Sequence, residues 1–289
     1  MIRTVFVPAS GSDTDASVFA TALALAKPLA AHLRFFHLHL SPGEAALHAP
    51  HVDFSRGPAV SEALESLRQR GNTLATNALV NCQKFCDLHG VHFQDGPSAE
   101  QAVSASWLED SSDPAGRLMF HARHSDAVVL GRPRNRDFLP GGLIETLWVG
   151  CGRPVIIAPN APPRSMTGTI VVGWKETPEA ARAVTAALPL LERARQVILL
   201  SIAEEGSASR DALEDLSLQL RWHGISAEVH MNVGKPGRPT TQLQQAAAQA
   251  GADLLVVGGF GHRPVRENLF GGVTHSLIDA ATLPVFMLH

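Results

Sequence analysis

Asp126-Ala127-Val128-Val129-Leu130-Gly131 returns later in the chain as Asp253-Leu254-Leu255-Val256-Val257-Gly258. Each block is an acidic residue, a run of apolar residues rich in β-formers, and a glycine. Such a run is what a strand covered on both faces of a parallel sheet requires. Matching features flank both copies. A glycine pair follows each block, Gly141-Gly142 and Gly271-Gly272, and then come Pro154-Val155-Ile156-Ile157 and Pro284-Val285-Phe286-Met287. Upstream, Thr4-Val5-Phe6-Val7-Pro8 precedes an Ala-rich helical stretch (16–33), as Thr169-Ile170-Val171-Val172-Gly173 precedes another (179–194). Blocks recurring in one order mark an internal repeat. Its joint lies near Pro159–Thr167, where Asn160-Ala161-Pro162-Pro163-Arg164-Ser165 reads as a linker. The expected division is therefore 1–160 and 161–289.

Within the second copy, strands are expected at about 169–174, 196–202, 226–233, 253–258 and 284–288. Helices are expected at about 178–194, 209–223, 238–251 and 272–282. Strand–helix alternation implies βαβ crossovers, so the fold class is α/β, with two tandem doubly wound, five-stranded parallel-sheet domains. The offset between copies falls from 165 residues at Thr4 and Thr169 to 127 at Asp126 and Asp253. The first copy thus holds about 38 extra residues, placed around 41–60, in a longer helix over 59–89 and before Trp107.

Composition narrows the function classes. With 45% hydrophobic and 18% charged residues in 289, the chain can build real cores. Its net charge of −3, 6% aromatics and lack of Tyr argue against a nucleic-acid partner. Three cysteines (Cys82, Cys86, Cys151) make no disulfide framework and fit a reducing compartment. No apolar stretch approaches membrane-spanning length, and the start does not read as a secretory signal. The expectation is a soluble, cytoplasmic protein without a membrane partner.

Ligands of open parallel sheets bind beyond the carboxyl ends of the strands, where the strand order reverses. There the second copy carries Gly258, two residues, Gly261, nine residues, Gly271, then Gly272-Val273-Thr274 and a predicted helix. Glycine permits close backbone approach and positive φ, and a helix start offers unsatisfied N–H groups. The spacing alone is a weak signal; its place between a strand and a helix strengthens it. No Gly-Lys-Ser/Thr closes the loop, so it is not a P-loop, and Pro264 breaks the dinucleotide fingerprint. The cradle donors would be Gly271, Gly272, Val273 and Thr274, with His262 and Arg263 beside them. The first copy has Arg134 where the second glycine belongs and a shorter loop between Gly131 and Gly141. That half is expected to be empty of nucleotide.

These blocks resemble the universal stress protein family in its tandem form, over essentially the whole chain. The resemblance implies an adenine nucleotide alpha hydrolase-like, Rossmann-like fold. It also implies ATP, with Mg as a candidate companion, lying across Gly173, Trp174 and Lys175, then Val233 and Gly234, and the loop Gly258–Thr274. Two positions depart from the family pattern. Gly272 stands where a Ser or Thr hydroxyl is usual, and Lys175 stands near the end of the first strand, where an Asp is usual. A cation cannot accept the bonds that a carboxylate does. The resemblance further implies that the last strands of the two units, Pro154–Ala158 and Pro284–His289, pair edge to edge as an intrachain pseudo-dimer, with a homodimer as a further option.

Other readings stay open beside this one. The loop is either a phosphate cradle or a family relic whose glycines serve only tight packing. Arg132, Arg134 and Arg136 are either an anion site or solvated charges. Cys82, Cys86 and His89 share a helix face, but a zinc site needs a fourth ligand from a second cluster, so buried thiols are the default and no metal is assigned. No catalytic constellation stands out. Glu267 is the only acidic residue in the glycine loop, which leaves slow ATP hydrolysis as a lesser option. The leading expectation is a non-catalytic, nucleotide-binding stress-response protein; the alternative is a ligand-free scaffold acting through protein contacts.

Overall fold

The structure, a computed structural model, describes residues 1–39, 58–97, 102–111, 114–132, 143–203, 210–233, 239–259 and 282–289. Its strands are β1 (Thr4–Pro8), β2 (His32–Leu38), β3 (His92–Phe93), β4 (Ser104–Asp110), β5 (Ala127–Leu130), β6 (Val155–Ile157), β7 (Thr169–Gly173), β8 (Gln196–Ala203), β9 (Ala227–Val233), β10 (Leu254–Gly258) and β11 (Val285–Leu288). The helices are α1 (Asp15–Ala26), α2 (Pro58–His89), α3 (Pro114–Arg123), α4 (Leu143–Gly150), α5 (Pro178–Leu191), α6 (Arg210–Arg221) and α7 (Pro239–Gln249).

All eleven strands form one sheet in the order β3-β4-β2-β1-β5-β6-β11-β10-β7-β8-β9. Every pairing is parallel except that of β6 with β11, which is antiparallel, with Ile156 opposite Phe286. Outward from that seam, β6-β5-β1-β2-β4 and β11-β10-β7-β8-β9 follow the same sequence. The two-residue β3 extends the first half by one strand beyond the five that the repeat implies. The runs that read as two-sided strands are buried throughout: β5, β7, β10 and β11 have no exposed residue.

Alternation along the strands sorts their side chains onto two faces. Val5, Val7, Ile170, Val172 and Phe286 pack under α1, α2, α5 and α6. Phe6, Val128, Val171, Val257 and Met287 pack under α3, α4 and α7. Each apolar layer runs through the seam, so both halves share both cores.

The helical stretch expected over 16–33 ends sooner. Pro28 disfavours continued α-helix at the residue before it and cannot donate from its own nitrogen. Accordingly, α1 stops at Ala26, a 3-10 turn covers Lys27–Leu29, and Ala30 turns left-handed at φ 49°. His32 already belongs to β2. The long α2 absorbs much of the first copy's extra length, as expected; residues 40–57 lie outside the described residues.

The repeated acidic residue has a structural role. Asp126 Oδ2 accepts from the Arg3 and Thr4 amides at 2.8 and 2.9 Å, while the Asp126 amide donates to the Thr4 carbonyl. Asp253 repeats this at β7, accepting from the Thr169 amide at 2.8 Å and donating to its carbonyl. The Asp126 carboxylate thus clamps the start of β1 to that of β5, and the Asp253 carboxylate the start of β7 to that of β10. Leaving the part-buried Thr4 and Thr169 amides unsatisfied costs about 1–3 kcal/mol. Asp126→Ala and Asp253→Ala should each lower unfolding free energy by about that amount, measured by urea denaturation; no loss in either would refute the clamp.

Candidate functional site

In the second half the strand order reverses between β7 and β10, where Val257 lies opposite Gly173. Beyond these ends come Trp174-Lys175-Glu176-Thr177 and the first turn of α5. Thr177 caps that helix in extended conformation, its hydroxyl accepting from the Ala180 amide at 3.3 Å, with Pro178 next. Glu179 pairs with Arg182 at 2.9 Å. Its carboxyl is held below the ordinary range, chiefly by its own backbone amide. The first-turn donors of α5 are therefore engaged within the protein.

The glycines here are required by close packing. A Cβ on Gly258 would lie 2.2 Å from the Ala180 nitrogen, so β10 passes directly against the start of α5. A Cβ on Gly173 would meet Leu243 and Val257, and one on Gly259 would meet the Trp148 ring. Trp174 packs against the α5 side of the core, and its Nε1 is buried without an acceptor among the described residues. Lys175 is half-buried beside it. Val233 ends β9, two strands from Gly173. Of the expected site residues, Gly173, Trp174, Lys175 and Gly258 thus gather around one pair of strand ends. Gly234, Gly261, His262, Arg263, Gly271, Gly272, Val273 and Thr274 lie outside the described residues, as do Arg134 and Arg136.

The same place in the first half is filled. Ala9 corresponds to Trp174: the Ala9 amide donates to Phe36 O and the Trp174 amide to Leu200 O, each at 2.8 Å. After Ala9 the chain folds over Asp15, which is buried. Its carboxylate accepts from the Ser10 amide (2.8 Å), the Ser10 hydroxyl (2.9 Å) and the Gly11 amide (2.9 Å). Gly11 has φ +76°, and a Cβ there would fall 2.0 Å from the Leu74 carbonyl oxygen of α2. The loop amides are thus spent on Asp15, with α2 lying against the loop. Among the described residues, a cavity of about 30 Å³ lies between α1 and Gly131-Arg132, lined also by Asp13, Thr14 and Pro159, which is room for a water molecule or two.

A further cluster lies at the carboxyl ends of β2 and β4, around His37 and His39. Buried His37 donates from Nδ1 to Ala9 O at 2.8 Å, and burial lowers its pKa. Glu109 accepts from Trp107 Nε1 at 2.7 Å and meets His39 Nε2 at 2.9 Å. Burial acts to raise the Glu109 carboxyl, but the bonds from His39 and Trp107 offset this and hold it below the usual range. Cys82 and Cys86 are buried free thiols, and His89 packs on Phe85 at 4.5 Å. Among the described residues no three His, Cys, Asp or Glu side chains are grouped to hold a metal, and no helix is long and apolar enough to cross a membrane.

Residues 166–289 match the model of the Universal stress protein family. Among solved structures, a universal stress protein from Archaeoglobus fulgidus DSM 4304 superposes with a TM-score of 0.67 at 15% identity, covering 99% of this chain and 95% of that one. A functionally unknown protein from Pseudomonas aeruginosa PAO1 superposes with a TM-score of 0.55 at 14% identity, covering 99% and 92%. These likenesses show the fold over the full length. No curated protein matches the chain.

Two measurements test this geometry. Gly258→Ala should destabilise by about 1–3 kcal/mol, the usual cost of overpacking, because β10 and α5 cannot both stay in place; unchanged urea stability would contradict the contact. Burial raises the Asp15 pKa despite its hydrogen bonds. The unfolded chain then loses this proton first, so the Asp15 contribution falls as pH rises from about 3.9 towards the higher folded value, and is flat above it. The difference in stability between wild type and Asp15→Asn, followed from about pH 4 to 7, should decline over that window; a level difference would contradict it.

Proposed function

Because residues 166–289 belong to the universal stress protein family, we propose that this half binds an adenine nucleotide or a related phosphorylated ligand across the carboxyl ends of β10, β7 and β9, without catalysis. The unit 161–289 is the binding domain, and 1–160 is its nucleotide-free sibling. The observation that carries the reading is an asymmetry. The family match and the spacing Gly258-x2-Gly261-x9-Gly271 fall in the same half, whereas in the other half Asp15, Leu74 and Val18 take up the equivalent space. The strand ends from β10 to β9 span about 14 Å at 4.8 Å per strand, wide enough for a nucleotide laid across them. Lys175 would supply a cation for phosphate in place of a carboxylate for ribose, a recognition weighted towards the anion. Such a protein would act in the cytoplasm as a stress-response sensor whose output depends on ligand occupancy.

A ligand-free scaffold is the second reading, favoured by one observation: the contacts found for Gly173 and Gly258 are internal packing contacts. Mass spectrometry of gently purified protein separates the two. Co-purifying nucleotide, with a rise in melting temperature on adding ATP, is the expected result. Neither signal, with and without Mg, would establish the scaffold instead. Gly271→Val should weaken ATP binding by crowding the proposed cradle; unchanged affinity in a titration would place the phosphates elsewhere.

A further inference from the structure

A cavity of about 850 Å³ opens at the amino ends of β1, β2 and β4, away from the glycine loops. Its floor is made by His32 and Arg34 of β2 and by Ser104 and Ser106 of β4, which share one face of the sheet. Arg34 is out of pattern. β2 is an interior strand, flanked by β1 and β4, and charged side chains are rarely placed there without a partner. The register puts Arg34 opposite Phe6 and, in the second half, Ile198 opposite Val171. An arginine therefore stands where the repeat has a buried isoleucine.

The half-buried guanidinium is held by neutral acceptors. Nη1 donates to the His124 carbonyl at 2.9 Å and to Ser125 Oγ at 3.1 Å, and Nη2 lies 3.3 Å from His121 Nδ1. Among the described residues no ion pair includes Arg34. Its position is fixed, and among the described residues no carboxylate pairs with its charge. Next to it, His32 Nδ1 lies 2.8 Å from Ser104 Oγ and Nε2 lies 3.0 Å from Ser106 Oγ. Burial, and then the charge of Arg34, lower the pKa of His32, which keeps the ring neutral. A neutral imidazole donates from one nitrogen and accepts at the other. One serine is therefore an acceptor in this chain, and its own O–H remains free to donate.

We propose that this cavity binds a small organic carboxylate, held by the field of Arg34 and a free serine hydroxyl, with its carbon body against Ala30, Pro97 and Leu108. The volume lies in the range of small-molecule sites and far exceeds an inorganic ion. Arg3 and Asp95 stand on the lining with opposite charges, so with Arg34 the net is one positive charge, which matches a monoanion.

The test uses the full-length protein, with benzoate and hexanoate as probes and benzyl alcohol as the neutral control, read by calorimetry. At least one carboxylate should bind saturably and the alcohol should not. Arg34→Met should weaken binding about tenfold or more, the loss of a charge-assisted contact. Ser106→Leu fills the floor without removing a bond to Arg34, and it should abolish binding. It also decides the matter if Arg34→Met fails to fold. No saturable binding of either carboxylate, equal binding of the alcohol, or binding unchanged by Ser106→Leu would overturn the proposal.

Discussion

The antiparallel pairing of β6 with β11 is the contact on which the rest of the architecture depends. Each strand is a short, wholly buried apolar run, and either one alone would be an open, sticky edge. Joined, they make the sheet continuous and let both apolar layers run from one half into the other. The rest of the sheet is parallel on both sides of this seam, so two copies of one strand order share a single scaffold. The two halves then differ in what that scaffold carries at the carboxyl ends of its first strands.

Those differences have a common physical origin. At the end of the first strand the backbone offers amides that need partners, in whichever half it lies. In the first half, Asp15 takes the amides of Ser10 and Gly11, and α2 closes over the loop so tightly that only a glycine fits beside the Leu74 carbonyl. In the second half, Thr177 and Glu179 serve the start of α5, and Gly258 brings β10 against it. Trp174 keeps a buried N–H without an acceptor among the described residues.

Much of this was legible in the sequence. Uninterrupted apolar runs such as Leu254–Val257 fix strand identity and two-sided burial, and their recurrence fixes the repeat. Pro28 signals the early end of the first helix, although the alanines before it favour a longer one. The two residues of β3 carry no pattern that could announce a strand. The glycine spacing marks Gly258 as a ligand contact, whereas its packing against Ala180 depends on the fold. The cavity at the amino ends joins residues from β1, β2, β4 and the turn after β3, separated by up to a hundred positions. Its one sequence signal was the arginine inside His32-Leu33-Arg34-Phe35-Phe36, a charge where the second copy has isoleucine.

The central claim is that one half of a repeated scaffold binds nucleotide and the other has filled its own site. Counting ATP bound per full-length chain by native mass spectrometry tests it most directly. One nucleotide per chain is predicted; two would show that the first half keeps a working site, and none would remove the binding role from both.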